Sequence, residues 1–165
     1  MNKFKKIKLK HDEIINTATK SEQKPHHIQQ DICATRPAYR QGRKLTAVKV
    51  YTINQESQHL FIYGVPSINL RTELKKLCSK YGQTLSIYVV PNVQTEIFTE
   101  CYHVQYQRIQ SARIAKRLLD THSFYGGVLH VCYAPECESE QETRAKLFQR
   151  KLDVLNRLPK NVEVS

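Results

Sequence analysis

The sequence predicts an α+β fold with elements in the order β-α-β-β-α-β, the ferredoxin-like split arrangement, plus an N-terminal extension strand and a C-terminal helix. Three observations carry this. Between His59 and Ala134, segments of period-two alternation take turns with segments whose apolar residues recur at helical spacing. Gly and Pro stand at the joints between them. After Pro135, Ser139 and Glu142 make an S-x-x-E helix start, followed by an apolar stripe. This order implies a four-stranded antiparallel sheet with two helices on one face and the other face free.

Residues 1–30 mix Lys, His, Gln and Thr with few large apolar residues. They read as a basic, mostly flexible arm, with a short helix around Ile28 to Cys33. ATRPAYRQGRKL, Ala34 to Leu45, gathers Arg36, Arg40, Arg43 and Lys44 around Tyr39, and Pro37 and Gly42 break regular structure there. AVKVYTI, Ala47 to Ile53, is β-branched and alternating, which predicts the extension strand, with Lys49 inside it. Residues 31–57 are thus a basic extension before a domain at 58–136.

Within the domain, HLFIYGV is a short strand closed by Gly64 and Pro66. LRTELKKLCSKYG sets Leu70, Leu74, Leu77, Cys78 and Tyr81 on one helical face, and Gly82 suits the C′ position. TLSIYVV is a strand, PNVQTEI a loop opened by Pro91, and FTECYHVQY a strand. SARIAKRLLDTHSF is a helix with Ala112, Ala115, Leu118 and Leu119 inward; GGVLHVCYA is a turn and a last strand. In residues 137–158, Ala145, Phe148, Leu152 and Leu155 stripe a helix of about five turns, widened by Leu147 and Leu158. The stripe needs a cover: the sheet, the extension or another protein. Residues 159–165 are a tail.

The net charge of +11 is uneven: residues 1–50 hold 12 Lys+Arg against 4 Asp+Glu, whereas residues 51–165 hold 14 against 11. A basic segment ahead of a nearly balanced domain favours a polyanion, nucleic acid being the usual one. The five cysteines are odd in number and form no C-x-x-C, so reduced thiols are expected rather than a disulfide framework or zinc site. His11, His26, His27, His59, His103, His122 and His130 show no ligand or triad spacing. No metal or cofactor is expected. No apolar run approaches the roughly 18 residues that cross a bilayer, so no membrane partner is expected. The basic start leads into HDEIIN rather than an apolar region, unlike a secretory signal.

The domain resembles the RNA recognition motif. Its short signature falls on LFIYGV, where Leu60 and Ile62 would face the helices while Phe61 takes the stacking position beside Tyr63. The long signature falls on TECYHVQY, Thr99 to Tyr106. There the family begins Lys/Arg-Gly and carries aromatics at the third and fifth positions; here those two positions are Cys101 and His103. Tyr102, Val104 and Tyr106 would point inward. A base stacked on an aromatic ring contributes about 1–3 kcal/mol, and Cys101 forfeits most of that. Phe61, Tyr63 and His103 remain as candidate RNA-binding residues on the sheet, or form an apolar face under the C-terminal helix.

A closer resemblance extends beyond the domain. AVKVYTINQESQHLFIYGVP, SARIAKR, SFYGGVLHVCYAPE and ETRAKLFQRK are similar to a family of RNA recognition motif proteins of the minor, U12-type spliceosome. The family has a CDTRxxYRxGR-like block, read here as CATRPAYRQGR with Ala34 in place of the acidic residue. The resemblance implies a nuclear, non-catalytic splicing factor. It would bind the 5′ end of a minor-class small nuclear RNA together with an armadillo-repeat protein, among other spliceosomal proteins. Arg36, Tyr39, Arg40, Arg43, Lys44 and Lys49 are its candidate RNA contacts, and Phe148, Leu152 and Leu155 its candidate partner contacts. Two other classes compete. One is a protein docking module with little RNA contact of its own. The other is an acylphosphatase-like enzyme using Arg71, although GVPSINLR supplies no glycine-rich phosphate cradle.

Overall fold

The computed structural model describes residues 23–42, 45, 47 and 50–158. In chain order these form α1 (Ala38–Gln41), β1 (His59–Pro66), α2 (Arg71–Ser79), β2 (Thr84–Val89), β3 (Thr99–Tyr106), α3 (Ile109–Leu119), β4 (Ser123–Phe124), β5 (Gly127–Val128), β6 (His130–Tyr133) and α4 (Glu140–Arg157). Two 3-10 turns, Pro25–His27 and Pro135–Cys137, flank the domain.

β1, β2, β3 and β6 make one sheet in the order β2-β3-β1-β6, with antiparallel neighbours throughout. The β-α-β-β-α-β order is therefore present, with a small β4–β5 hairpin inserted before the last strand. One face packs on α2 and α3. Leu60, Ile62, Tyr102, Val104, Tyr106 and Val131 from the strands meet Leu74, Cys78, Ala112, Ala115 and Leu119 from the helices. The alternation expected of TECYHVQY holds, with Tyr102, Val104 and Tyr106 all in this core. The Tyr106 hydroxyl reaches the end of α2 and donates to the Cys78 carbonyl at 2.9 Å, so its polar tip is satisfied inside the core.

Several boundaries differ from expectation, each for a local reason. No strand forms at Ala47 or at Val50–Ile53; Thr46, Val48 and Lys49 lie outside the described residues. Tyr51 joins the domain by its ring instead, edge to face with Tyr133 at 4.9 Å and under the Lys116 ammonium. The helix expected at Ile28–Cys33 is absent, and Ile28 and Ile32 are exposed, so that segment has no apolar face to bury. The order instead comes one step earlier, at Pro25–His27, with Pro25 opening the turn and His27 buried. Within 34–45, Pro37 and Gly42 bracket the single turn α1, where Gly42 takes φ +64°.

β1 runs through Gly64 to Pro66 with a register shift between Ile62 and Val65. Gly64 has φ +82°, and a side chain there would strike the Val128 carbonyl. α2 ends at Ser79 with Lys80 as its cap, so Gly82 stands one residue beyond the C′ position. α3 stops at Leu119, short of Phe124. Asp120 leaves the helix to accept the Val131 amide, and Thr121 follows at φ +63°. Leu118 is exposed, because Ala112, Ala115 and Leu119 already complete the inward stripe.

All five cysteines are free thiols. Burial pushes the Cys78 and Cys137 thiols up to about 12, which keeps them protonated at neutral pH. Among the described residues, no helix is long and apolar enough to cross a membrane.

Candidate nucleic-acid interface

Alternation along β1, β3 and β6 sends Phe61, Tyr63, Cys101, His103 and Cys132 to the sheet face away from the helices, the face on which bases would stack. That face is closed. Phe61 and Tyr63 are each 8% exposed and His103 is fully buried. The cover comes from segments before, within and after the strands of the sheet. His27 lies over Phe61 and near Tyr63, with ring centroids 5.1 and 6.4 Å away. Ala134 and Cys137 close the side beyond β6, and Val90 and Val93 pack in from the end of β2 and the following loop.

Polar groups hold the cover in place. Glu136 accepts from His26 Nε2 at 2.9 Å and sets its other carboxylate oxygen against His27 Nε2 as an ion pair. Burial alone would raise the Glu136 carboxyl, but hydrogen bonds from His27, its own backbone and His26 outweigh it and hold the group at about 2. The His27 carbonyl accepts from His130 Nε2 at 2.5 Å, and the His130 ring stacks on Tyr63 at 5.7 Å. On its other side His130 Nδ1 faces Asp120 at 3.4 Å.

A second chain of contacts runs to α4. Ser139 caps that helix as its sequence predicts: its hydroxyl accepts the Glu142 amide, and its own amide donates to the Glu142 carboxylate at 2.7 Å. The same carboxylate accepts from Gln105 at 2.7 Å and faces His59 Nε2 at 3.3 Å. A carboxylate only accepts, so His59 carries its hydrogen on Nε2. Its Nδ1 lies 2.8 Å from His103 Nε2, so the two rings share a hydrogen bond. The Tyr88 ring lies 4.7 Å from that of His103. Burial opposes ionisation of Glu142, but the Ser139 amide and His59 outweigh it and lower the carboxyl.

α4 touches the domain through its start and not its stripe. Lys146 forms a buried ion pair with Glu138 at 2.8 Å and donates to the Glu56 carbonyl. Beyond it, a cleft of about 520 Å³ separates Ala145, Gln149, Arg150 and Asp153 from Ile53, Gln58 and the Gln107–Gln110 segment. Phe148 is 62% exposed, and Leu147, Leu152, Val154, Leu155 and Leu158 are also open. Among the described residues, the stripe therefore covers neither the sheet nor the extension.

Of the cationic block, Arg36 is half-buried, Tyr39 is 81% exposed, and Arg40 stands in α1. Arg43, Lys44 and Lys49 lie outside the described residues. Arg71 donates to the Ile87 carbonyl at 2.8 Å, tying α2 to β2, so it is engaged in the fold rather than presented in a phosphate cradle. Sequence reasoning missed His27, His59, His130, Glu136 and Glu142. Adjacent histidines after a proline were a visible signal, but the partner carboxylate of His26 lies 110 residues away.

Residues 60–130 match the family model for the RNA recognition motif. The folded domain is an RNA recognition motif. Among solved structures, the chain is similar to Pes4 RRM3 (23% identity, TM-score 0.41, covering 47% of this chain and 90% of that one). Mip6 RRM3 is another (16% identity, TM-score 0.43, 48% and 94%). The chain is similar to RNA-binding protein 48, the RNA-binding motif protein forty-eight family to which the sequence blocks between Ala47 and Lys151 point. It is 49% identical to the Homo sapiens protein over 130 residues, which is 79% of this chain and 35% of that one. Against the Danio rerio protein it is 51% identical over 126 residues, 76% and 35%. The chain spans about a third of the length of these relatives.

Proposed function

We propose that this protein is a non-catalytic, nuclear RNA-binding splicing factor of the minor spliceosome. It grips the 5′ end of a small nuclear RNA with its cationic extension and docks an armadillo-repeat partner on α4. The observation that carries this reading is the division of surfaces. The sheet's stacking face is closed by His27, while Tyr39 in the cationic block and Phe148 on α4 stand exposed. An RNA terminus is recognised largely through its phosphates, which need cations more than a row of aromatic rings. An exposed apolar stripe on a helix suits the groove of a helical solenoid.

A second reading has a specific observation in its favour. The same closed face suits a protein docking module that makes little RNA contact of its own. Crosslinking in nuclear extract, followed by sequencing of the bound RNA, separates the two. Recovery of one small nuclear RNA's 5′ end supports the splicing factor. Partner capture without any RNA, even at low salt, supports the docking module. In binding assays, the triple change Arg36→Ala, Arg40→Ala, Arg43→Ala should weaken RNA binding tenfold or more. It should also flatten the salt dependence by about 0.7 in slope per lost phosphate contact for a single strand. Wild-type affinity and slope in that variant would sink the cationic grip.

A further inference from the structure

We propose that the Nε2 atoms of His26 and His27 and the carboxylate of Glu136 form a three-ligand site for a zinc-class divalent cation, which fastens the N-terminal turn to the sheet face. Their ligand atoms all lie within 4.8 Å of one another. Two imidazoles and a carboxylate are the donor set of zinc and its d-block neighbours, and three protein ligands leave a fourth position for water. Calcium and magnesium, which take oxygen ligands, are not served by it.

The local geometry explains how adjacent residues reach one ion. The Pro25–His27 turn sets the two rings nearly perpendicular, with centroids 4.3 Å apart, and aims both Nε2 atoms at the two oxygens of one carboxylate. Ligands on a tetrahedral zinc with bonds of about 2.1 Å stand about 3.4 Å apart. His26 Nε2 and its carboxylate oxygen are 2.9 Å apart, so a modest opening of the cluster admits the ion. His26 is the outer member, its side chain 38% exposed, and provides the open side through which the ion and its water arrive.

The surroundings match an outer ligand shell. A metal-bound histidine places its other ring nitrogen against a fixed polar group. His27 Nδ1 faces the Tyr63 hydroxyl at 3.4 Å. The backbone of His27 is pinned by His130. Each group is anchored in the sheet face, so the ion would join residues 25–27 to β1 and to the turn after β6. The site uses neither the cationic block nor the α4 stripe, and it stands whether or not RNA is the chain's ligand.

The test is titration of the full chain, freed of metal with a chelator, with zinc alone under reducing conditions. Isothermal titration should show one equivalent bound, and the melting temperature should rise with zinc concentration. His26→Ala and Glu136→Gln should each weaken zinc binding at least tenfold. His26→Ala should keep a cooperative metal-free melting transition, since the residue is the outer member of the cluster. Cobalt substituted for zinc should give the visible absorption of a four-coordinate site in the wild type and lose it in His26→Ala. Cys33→Ser should bind zinc as the wild type does. No saturable binding, wild-type affinity in both ligand variants, or loss of binding in Cys33→Ser would each overturn the proposal.

Discussion

His27 meets Phe61 edge to face, ring centroids 5.1 Å apart, on the side of the sheet that an open RNA recognition motif offers to a base. The arrangement makes Phe61 a core residue in this chain. Phe61→Ala should therefore lower stability by about 3 kcal/mol, at the lower end for a buried aromatic, as read by urea unfolding. A variant that unfolds at the wild-type midpoint would mean that the ring is not packed under the turn.

The two faces of β3 should respond unequally. Tyr102→Ala removes a fully packed ring and should cost about 3–5 kcal/mol. Cys101→Ala removes one sulfur from the opposite, smaller cluster and should cost about 1 kcal/mol. Chemical denaturation of both variants checks the order, and the reverse order would mean that the strand is turned over.

On α4, charge should matter to folding and apolar surface should not. Lys146→Met leaves the Glu138 carboxylate buried without its cation and should cost about 3 kcal/mol. Phe148 is exposed, so Phe148→Asp should change stability by no more than about 0.5 kcal/mol. If the proposed armadillo-repeat partner docks on this stripe, the same Phe148→Asp should abolish its binding. A large drop in melting temperature for Phe148→Asp would show instead that the stripe packs on its own domain.

Asp120 should add an acid-sensitive component to stability. Burial opposes its ionisation, but His130, Lys116 and the Val131 amide outweigh it and lower its carboxyl from 3.8 to about 2. A carboxylate with a depressed folded pKa stabilises the fold above its unfolded value, and that stabilisation is lost as pH falls through the folded one. The wild type should thus lose stability between pH 3.8 and about 2, and Asp120→Asn should lack this component. Melting curves at pH 5 and pH 3 for both proteins measure the difference.

Strand and helix patterns were legible because burial on one face writes a period into the sequence: Tyr102, Val104 and Tyr106 alternate, and Leu74 and Cys78 lie one turn apart. The start of α4 was legible for a different reason, since Ser139 and Glu142 are three residues apart and the capping box is local. Leu118 misled because the period marks a stripe but not its width. The fate of the stacking face was not legible. Its cover depends on His27 meeting Glu136, and on Glu142 meeting His59 across 83 residues, and neither pairing leaves a periodic trace. The cationic block was visible as composition alone, and composition carries no geometry.

Glu142 belongs to two structures at once. Its carboxylate closes the first turn of α4 and, in the same position, satisfies Gln105 and His59 at the edge of the sheet. The start of the helix therefore cannot fray without also releasing the sheet-side hydrogen bonds, and the two should open as a single cooperative unit. In hydrogen exchange, the Glu142 and Thr143 amides should share the protection of β3. The amides beyond Lys146, held only within the helix, should exchange on their own faster clock.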